Sequence, residues 1–204
     1  MKTLLIITGP QGSGNHLFSK IFAQHPDVFA WSALNDQYWV PHDQEPFVDA
    51  WHNPFILPNV VFDTHAVTSI SCPYAYHGQT VEPRYAEFIA AAKQLDYCIK
   101  VAIIGRDQNV LRLQQERVRG TYSYPKFEKY LNYLQTFNPV YLSTELLYLY
   151  RENYVSSLSA QLNFPINCDP EQISKILETD PNSKYFAPAP DQALDKIVKK
   201  VSSL

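Results

Sequence analysis

Apolar and polar positions follow two patterns along this chain: short apolar runs, and apolar stripes with three- and four-residue spacing. The runs near Leu4 and Tyr97 are typical of buried strands, because parallel strands are often apolar on both faces. Shorter runs predict two further strands, one over 59–64 and one over 139–143. The pattern therefore predicts four strands that are buried in the protein interior.

Stripes with helical spacing lie between these runs and after them. They predict helices over 15–24, 83–95, 107–118, 125–137, 144–162, 169–178 and 191–203, while 27–55 and 66–81 are predicted to be mostly loop. Strands that alternate with helices predict an α/β fold with three layers, α/β/α, around a mostly parallel sheet. At 204 residues, the chain has the length of one such domain over 1–204.

A glycine-rich turn, Gly9 to His16, connects the first strand to the first helix and contains three of the chain's six glycines. Glycine adopts positive φ without steric cost and lets the backbone approach a ligand closely. The N–H groups of such a loop and of the first helical turn point at one place, where the helix dipole adds roughly half a positive charge. The turn therefore predicts a phosphate cradle and a fold like that of P-loop nucleoside triphosphate hydrolases. The alternative is a turn that only closes the βα unit.

The spacing Gly9-x-x-x-x-Gly14 is that of a P-loop. However, Asn15 and His16 occupy the positions where a nucleotide-hydrolysing P-loop carries lysine and a magnesium-binding serine or threonine. The turn thus has the anion cradle without these two groups. We therefore expect a site that requires no metal.

Composition narrows the possible partners and the compartment. Apolar residues make up 46% of the chain, but no apolar run approaches the length of a membrane span, so we expect no membrane partner. The net charge of −3 argues against a surface that binds nucleic acid. The three cysteines lack the pairing of a metal site, and reduced thiols in a cytoplasmic protein are the simplest interpretation.

With these elements placed, the sequence resembles the sulfotransferase family, P-loop-fold enzymes that transfer a sulfuryl group from 3′-phosphoadenosine 5′-phosphosulfate to an acceptor. The similar segments follow one another in the family's order between about residue 5 and residue 165. They are Ser13-Gly14-Asn15-His16 in the loop, Asp63-Thr64-His65, Ile103 to Asp107, and Thr144 to Leu147 with Leu162 to Pro165 further on.

The resemblance implies an enzyme with a defined set of site residues. It implies that His65 is the catalytic base, and that Arg106, with Gln114 eight positions later, binds the 3′-phosphate of the donor. The loop residues implied to bind the donor are Gln11, Gly12, Ser13, Gly14, Asn15 and His16. The product would be adenosine 3′,5′-bisphosphate, and the acceptor a hydroxyl or amine on a small molecule or glycan. Aromatic residues from Trp31 to Phe55 are candidates for the wall of the acceptor pocket.

The sequence departs from the family's pattern at four positions. Gly12 replaces a loop lysine or arginine, Asp63 a lysine, Gln108 a proline and Gln114 a serine. One lost preorganised donor can cost roughly 3–4 kcal/mol of transition-state stabilisation, so catalysis could be weakened. The cations in sequence reach that could substitute are Lys20, Lys100 and Arg112.

Two other classes of function remain open at this point. One is a P-loop nucleotide-binding NTPase or kinase, and the other is a non-catalytic protein that binds a phosphorylated ligand. Individual residues also have simpler interpretations. His65 could be bonded by loop carbonyls, and Arg106 could pair with Asp107 or Glu116 on the surface. The oligomeric state stays open as well.

Overall fold

The computed structural model describes residues 2–37 and 40–178 of the protein. Its strands are β1 (Thr3–Pro10), β2 (Val28–Phe29), β3 (His65–Cys72), β4 (Tyr74–Tyr76), β5 (Gln79–Val81), β6 (Cys98–Gly105) and β7 (Val140–Ser143). Its α-helices are α1 (Asn15–Phe22), α2 (Val48–His52), α3 (Tyr85–Gln94), α4 (Gln108–Arg119), α5 (Tyr124–Gln135), α6 (Thr144–Leu162) and α7 (Pro170–Glu178). Short 3₁₀ turns cover Ser32–Leu34, His42–Gln44 and Pro54–Asn59.

Five strands form one parallel sheet in the order β2-β3-β1-β6-β7, and β4 and β5 form an antiparallel hairpin. In the sheet, Thr3 lies beside His65, and Pro10 lies beside Cys72. All carboxyl ends therefore lie at one edge of the sheet, which we call the loop edge because the glycine turn follows β1 there. We call the opposite edge, where β1 and β3 begin, the far edge.

Alternate side chains of β1 enter two separate cores. Leu4 and Ile6 pack into a cluster with residues of α2, α3 and α5. Leu5 and Ile7 pack into a second cluster with residues of α1, α6 and α7. Because successive side chains of a strand point to opposite faces, the sheet is the middle layer between two layers of helices. The predicted α/β/α class with a parallel sheet is confirmed.

The predicted strand over 59–64 is wrong. Residues Pro54–Asn59 form a 3₁₀ turn, Val61 is 75% exposed, and the strand begins only at His65. The true strand is rich in hydroxyl side chains, which a search for apolar runs passes over. Those hydroxyls can be buried because they are bonded: Thr68 Oγ1, for example, accepts a 2.8 Å hydrogen bond from Trp51 Nε1.

The other predicted elements agree with the structure to within about three residues, apart from the last helix, over 191–203, which lies outside the described residues. Strand β2 and the hairpin β4–β5 fall in segments that were predicted to be loop. Within the described part of the chain, no helix combines the length and the apolar character needed to cross a bilayer.

Candidate functional site

The glycine turn has a backbone conformation that depends on its glycines. Gly14 has φ 117° and precedes the first residue of α1, and an added Cβ there would lie 2.8 Å from Thr144 Oγ1. Gly12 has φ 83°, and its added Cβ would lie 3.0 Å from the Gln114 side chain. Other residue types are strained at these angles. The family carries a cation at the position of Gly12. Here the Gln114 side chain occupies the space into which a side chain at this position would extend.

Three consecutive carbonyls of the turn accept hydrogen bonds from side chains outside it. Gln115 Nε2 donates to Gln11 O over 2.6 Å, and Thr144 Oγ1 donates to Ser13 O over 2.8 Å. Between them, Arg106 Nη1 donates to Gly12 O. We call these three interactions the carbonyl clamp. The donors come from α4, from the start of α6 and from the residue after β6, so elements that end or begin at the loop edge together fix the turn.

Helix α1 begins directly after this turn without a side-chain cap. Its N-cap residue is Gly14, which has no side chain, and none of the described side chains caps the helix. The first-turn N–H groups of an α-helix have no partner within the helix, and they carry the positive end of its dipole. Because the clamp engages three carbonyls of the turn and leaves the first N–H groups of α1 as donors, the turn and the start of α1 are the candidate anion site, called the anion site below.

Two polar side chains of the turn are buried without a hydrogen-bond partner. Ser13 is fully buried and Asn15 is 7% exposed, and neither Ser13 Oγ nor either amide atom of Asn15 has a partner among the described residues. Buried polar groups are normally bonded, to protein or to a ligand or water. The side-chain polar atoms of Ser13 and Asn15 are thus enclosed by the protein in this conformation.

Arg106 and Gln114, predicted to act together, are in contact. Arg106 Nη1 donates to Gln114 Oε1 as well as to Gly12 O. The acidic residues expected as alternative partners are engaged elsewhere: the Asp107 carboxylate accepts from the first N–H groups of α4, and Glu116 pairs with Arg112 over 2.8 Å. Arg106 thus supports the turn, with its guanidinium beside the backbone that forms the anion site.

The cations suggested as substitutes lie elsewhere. Lys100 Nζ donates to the carbonyl of Leu162, and Arg112 pairs with Glu116 on the surface. Lys20 lies in the last turn of α1, at the end opposite the anion site. Of the cationic side chains that the structure describes, Arg106 is the one that these contacts bring to the turn.

His16, the second residue of α1, extends toward the loop that follows β2. Its Nε2 donates to Val40 O over 2.9 Å, and its ring lies 4.9 Å from that of Trp31. Burial lowers the pKa of His16, although the carbonyl of Val40 opposes this effect. The imidazole is therefore mainly neutral near pH 7 and joins the anion site to the aromatic residues beyond it.

His65 does not lie at the loop edge, and the strand placement on which its predicted role depended is wrong. It is the first residue of β3, whereas Cys72, at the other end of that strand, is the one that lies beside Pro10. The two residues are seven positions apart along the strand, or about 23 Å. The His65 ring instead lies 5.4 Å from that of Phe164, at the far edge. The geometry places a different histidine near the turn.

That histidine is His42, which sequence reasoning did not identify. Its Nε2 donates to Ser69 O over 2.9 Å, and its ring lies 5.5 Å from Trp31 and 5.5 Å from Tyr74. Burial is the main cause that lowers the pKa of His42 to about 4, so the ring is neutral at pH 7. Trp31 belongs to the aromatic stretch that was a candidate for the wall of the acceptor pocket, but nothing in the local sequence of His42 indicates its position.

Glu45 binds the backbone of the same residue of β3, Ser69. Its two carboxyl oxygens accept from Ser69 N over 3.1 Å and from Phe47 N over 2.8 Å. Burial raises the pKa of Glu45 to about 8, although both backbone donors act in the opposite direction. His42 and Glu45 therefore hold the carbonyl and the N–H of Ser69, and both are mainly uncharged at pH 7.

In the part of the chain that the structure describes, no three His, Cys, Asp or Glu side chains are grouped so that they could hold a metal ion.

Comparison with known proteins finds similarity among solved structures. No protein-family model matches the chain, and no curated protein matches it. Among solved structures, the chain is similar to mouse sulfotransferase SULT7A1 complexed with PAP, at 12% sequence identity and a TM-score of 0.44. The alignment covers 93% of this chain and 68% of the mouse protein.

Proposed function

We propose that the protein is a sulfotransferase-like enzyme that binds 3′-phosphoadenosine 5′-phosphosulfate at the glycine turn and transfers its sulfuryl group to a hydroxyl or amine acceptor. The observation that carries the proposal is the carbonyl clamp on Gln11, Gly12 and Ser13, combined with the uncapped start of α1. The motifs that resemble the family are the second support.

The chemistry of the turn favours a phosphate or sulfate group over a triphosphate with magnesium. Its donors are backbone N–H groups, which suit any tetrahedral oxyanion. At the position of the P-loop lysine it has Asn15, and at the position of the magnesium-binding hydroxyl it has His16, whose Nε2 is bonded to Val40 O. The residues needed for β/γ-phosphate chemistry are therefore replaced.

In the proposed transfer, the bond from sulfur to the 5′-phosphate oxygen breaks, and a bond from sulfur to the acceptor oxygen or nitrogen forms. The acceptor's proton is released to solvent, and the products are a sulfate ester or sulfamate and adenosine 3′,5′-bisphosphate. The turn and the start of α1 would hold the 5′ end of the donor. Backbone donors that are already oriented stabilise charge that develops on oxygen without reorganising.

Arg106 and Gln114 are proposed to contact the 3′-phosphate. A guanidinium group suits phosphate because it presents several N–H donors in one plane, while its neighbour Gln114 keeps it beside the turn. The same pair also stabilises the turn, so its loss should affect both ends of the donor.

A binding comparison tests the proposal. Isothermal titration with adenosine 3′,5′-bisphosphate, AMP and Mg·ATP should give the tightest binding for the bisphosphate, about 10- to 100-fold tighter than AMP, the worth of one charge-assisted contact. Equal affinities for the bisphosphate and AMP would remove the 3′-phosphate site. Tightest binding of Mg·ATP would favour the NTPase or kinase class instead.

Turnover separates an enzyme from a binding protein. The protein is incubated with the phosphosulfate donor and a panel of phenols, sugars and amines, and sulfated products are detected by mass spectrometry. Release of the bisphosphate together with a sulfated product supports the transferase. Tight binding of the bisphosphate without any sulfated product would indicate the non-catalytic class.

A further inference from the structure

Helix α6 carries apolar side chains on a face that is open to solvent. Leu146 is 40% exposed, Leu149 is 72% exposed and Tyr150 is 58% exposed. Spacings of three and four residues place the three side chains on one side of the helix. Leu147, between them in sequence, is fully buried in the core that lies on the other side. We call Leu146, Leu149 and Tyr150 the α6 stripe.

The stripe is an unusual grouping for this surface. Eight large apolar side chains are exposed in the described part of the chain, and the three of the α6 stripe fall within five consecutive positions. Apolar side chains that are exposed singly are normal on a protein surface. A group that exposes roughly 300 Å² has the size of patches that are often functional. The α6 stripe is therefore a candidate interaction surface.

The segment that carries the stripe is fixed to its neighbours. Thr144, its first residue, donates to Ser13 O in the carbonyl clamp, and Glu145 Oε1 accepts from Asp107 N over 3.1 Å. The helical conformation is interrupted at Arg151, which has φ 45° and ψ −121°, angles that residues with a side chain rarely adopt. The stripe thus lies on a short segment, 144–150, that is already ordered before a partner binds.

A charged residue lies at each end of the stripe. Glu145 precedes it and Arg151 follows it, and neither takes part in an ion pair within residues 2–37 and 40–178. The order of residues is symmetric about position 148. Leu146 and Tyr150 lie two positions on either side of it, and the two charges lie three positions on either side.

This symmetry makes the stripe complementary to a second copy of itself. In a two-fold interface, each contact between two different residues occurs twice. Two copies of the segment that pack antiparallel about position 148 bring Leu146 of one copy beside Tyr150 of the other. The same arrangement brings Glu145 beside Arg151 at both ends of the interface. Apolar contact and opposite charge therefore coincide in one geometry.

A membrane surface fits the stripe less well. Amphipathic helices that bind anionic lipids carry several lysines or arginines on their polar face. The charged residues next to the α6 stripe are Glu145, Arg151 and Glu152, of which two are acidic. Tyrosine and arginine are, by contrast, enriched where proteins bind one another. The composition of this surface thus favours a protein partner.

We infer that the α6 stripe is the centre of a two-fold interface between two copies of this chain. Two stripes bury roughly 600 Å² of apolar surface, less than the roughly 1,200 Å² of a stable interface, so the contact is weak. We expect the dimer to form at protein concentrations on the order of 100 μM. The inference does not depend on the proposed function, because association requires neither the donor nor turnover.

Sedimentation velocity of the full-length protein, from micromolar to millimolar concentration, tests the inference. The mean mass should rise from that of one chain towards that of two. Leu149→Glu places a charge in the stripe and should weaken association about tenfold or more. Val61→Glu is the matched control. Val61 is 75% exposed but precedes β3, which β1 and β6 separate from β7, so this variant should associate like the wild type.

Charge reversal tests the antiparallel pairing. Glu145→Lys and Arg151→Glu each place like charges opposite one another in a homodimer, so each variant alone should associate about three- to tenfold more weakly. An equal mixture of the two variants should recover association, because every contact then joins opposite charges. Glu145→Lys also loses bonds with Asp107 N and Ser143 Oγ, but this loss is the same in mixed and unmixed samples. Recovery therefore separates a contact between copies from a structural role.

Three results would overturn the inference. One is a wild-type protein that stays monomeric at millimolar concentration. A second is a monomer that Leu149→Glu makes less stable in chemical denaturation, since another part of the same chain would then cover the stripe. The third is a mixture of the two charge variants that associates no better than either alone. Association of a protein that fails to bind adenosine 3′,5′-bisphosphate would support the interface and reject the proposed function.

Discussion

The two edges of the parallel sheet differ in what their polar side chains do. At the loop edge, Arg106 and Thr144 bind backbone carbonyls of the glycine turn, and His42 holds Ser69 while its second nitrogen stays unpartnered. At the far edge, Lys2 lies over the Phe62 ring at 5.1 Å, and His65 packs against Phe164. Polar groups at the loop edge thus orient the backbone of the glycine turn, whereas Lys2 and His65 at the far edge lie against aromatic rings, and His65 Nδ1 is also buried without a partner among the described residues.

This difference indicates where binding energy can arise. An anion needs donors that are already oriented, and the carbonyl clamp provides that orientation at the loop edge alone, within the part of the chain that the structure describes. The predictions below test whether function is confined to that edge, starting with the largest expected effect.

The first prediction concerns the conformation of the turn. Gly14→Ala should lower the free energy of unfolding by roughly 3–4 kcal/mol, because the residue needs φ 117° and the new Cβ would lie 2.8 Å from Thr144 Oγ1. Gly78→Ala is the control: it has φ 77° but no atom within 4 Å of its added Cβ, so it should lose only roughly 1 kcal/mol. Chemical denaturation measures both. Equal losses would mean that Thr144 does not constrain the turn.

The second prediction concerns the pH dependence of stability. The pKa of His42 is about 4 in the folded state and about 6.5 when unfolded, so between these values the unfolded chain binds more protons. The stability associated with its neutral ring is present above about pH 6.5 and is lost as the pH falls toward 4, by up to roughly 3 kcal/mol.

His42→Gln keeps a donor for Ser69 O but does not titrate, so it isolates this effect. Between pH 6.5 and 4 the wild type should lose its advantage over the variant. The difference between the two unfolding curves is the quantity to measure, because Glu45, whose pKa is raised to about 8, acts in the opposite direction: its stability contribution decreases as the pH rises from about 4.5 to 8. Parallel curves for the two proteins would contradict a neutral, buried His42.

The third prediction compares two arginines about six positions apart. Arg106→Ala removes the donor to Gly12 O and Gln114 Oε1, so it should lower stability by about 2 kcal/mol and weaken binding of adenosine 3′,5′-bisphosphate about tenfold or more. Arg112→Ala breaks an exposed pair with Glu116 and should leave both stability and binding close to those of the wild type. Denaturation and titration test both variants. Similar behaviour of the two would remove Arg106 from the site.

The sequence was sufficient to predict the elements whose patterns are local. The apolar runs of β1 and β6 contain the buried residues of these strands, so the runs alone predict both strands. The clustered glycines predict the turn. Strand β3 was misplaced because its buried Thr68 and Ser69 look polar in sequence, and only their tertiary partners, Trp51 and Glu45, make their burial possible. Hydrogen bonds between distant segments are invisible to a reading of local periodicity.

The candidate site likewise has one part that could be predicted from the sequence and one part that could not. The contact of Arg106 with Gln114 was expected because the resemblance places a partner of Arg106 eight residues later in the chain. Trp31, His42, Ser69 and Tyr74, by contrast, come from four separate segments, the loop after β2, the 3₁₀ turn at His42, β3 and β4, and no spacing rule brings these together. The predicted strand ended at residue 64, which put His65 at the loop edge. Strand β3 in fact begins at His65, so this residue lies at the far edge.

The last prediction addresses that histidine directly. His65→Ala should leave the affinity for adenosine 3′,5′-bisphosphate within about twofold of the wild type, because the residue lies about 23 Å from the glycine turn along β3. It should cost roughly 1 kcal/mol of stability through the lost contact with Phe164, which is 5.4 Å away. Titration and denaturation of the same preparation separate the two effects. A folded His65→Ala variant with binding or sulfuryl transfer reduced more than tenfold would show that the far edge takes part in function, and the contrast between the edges would fail.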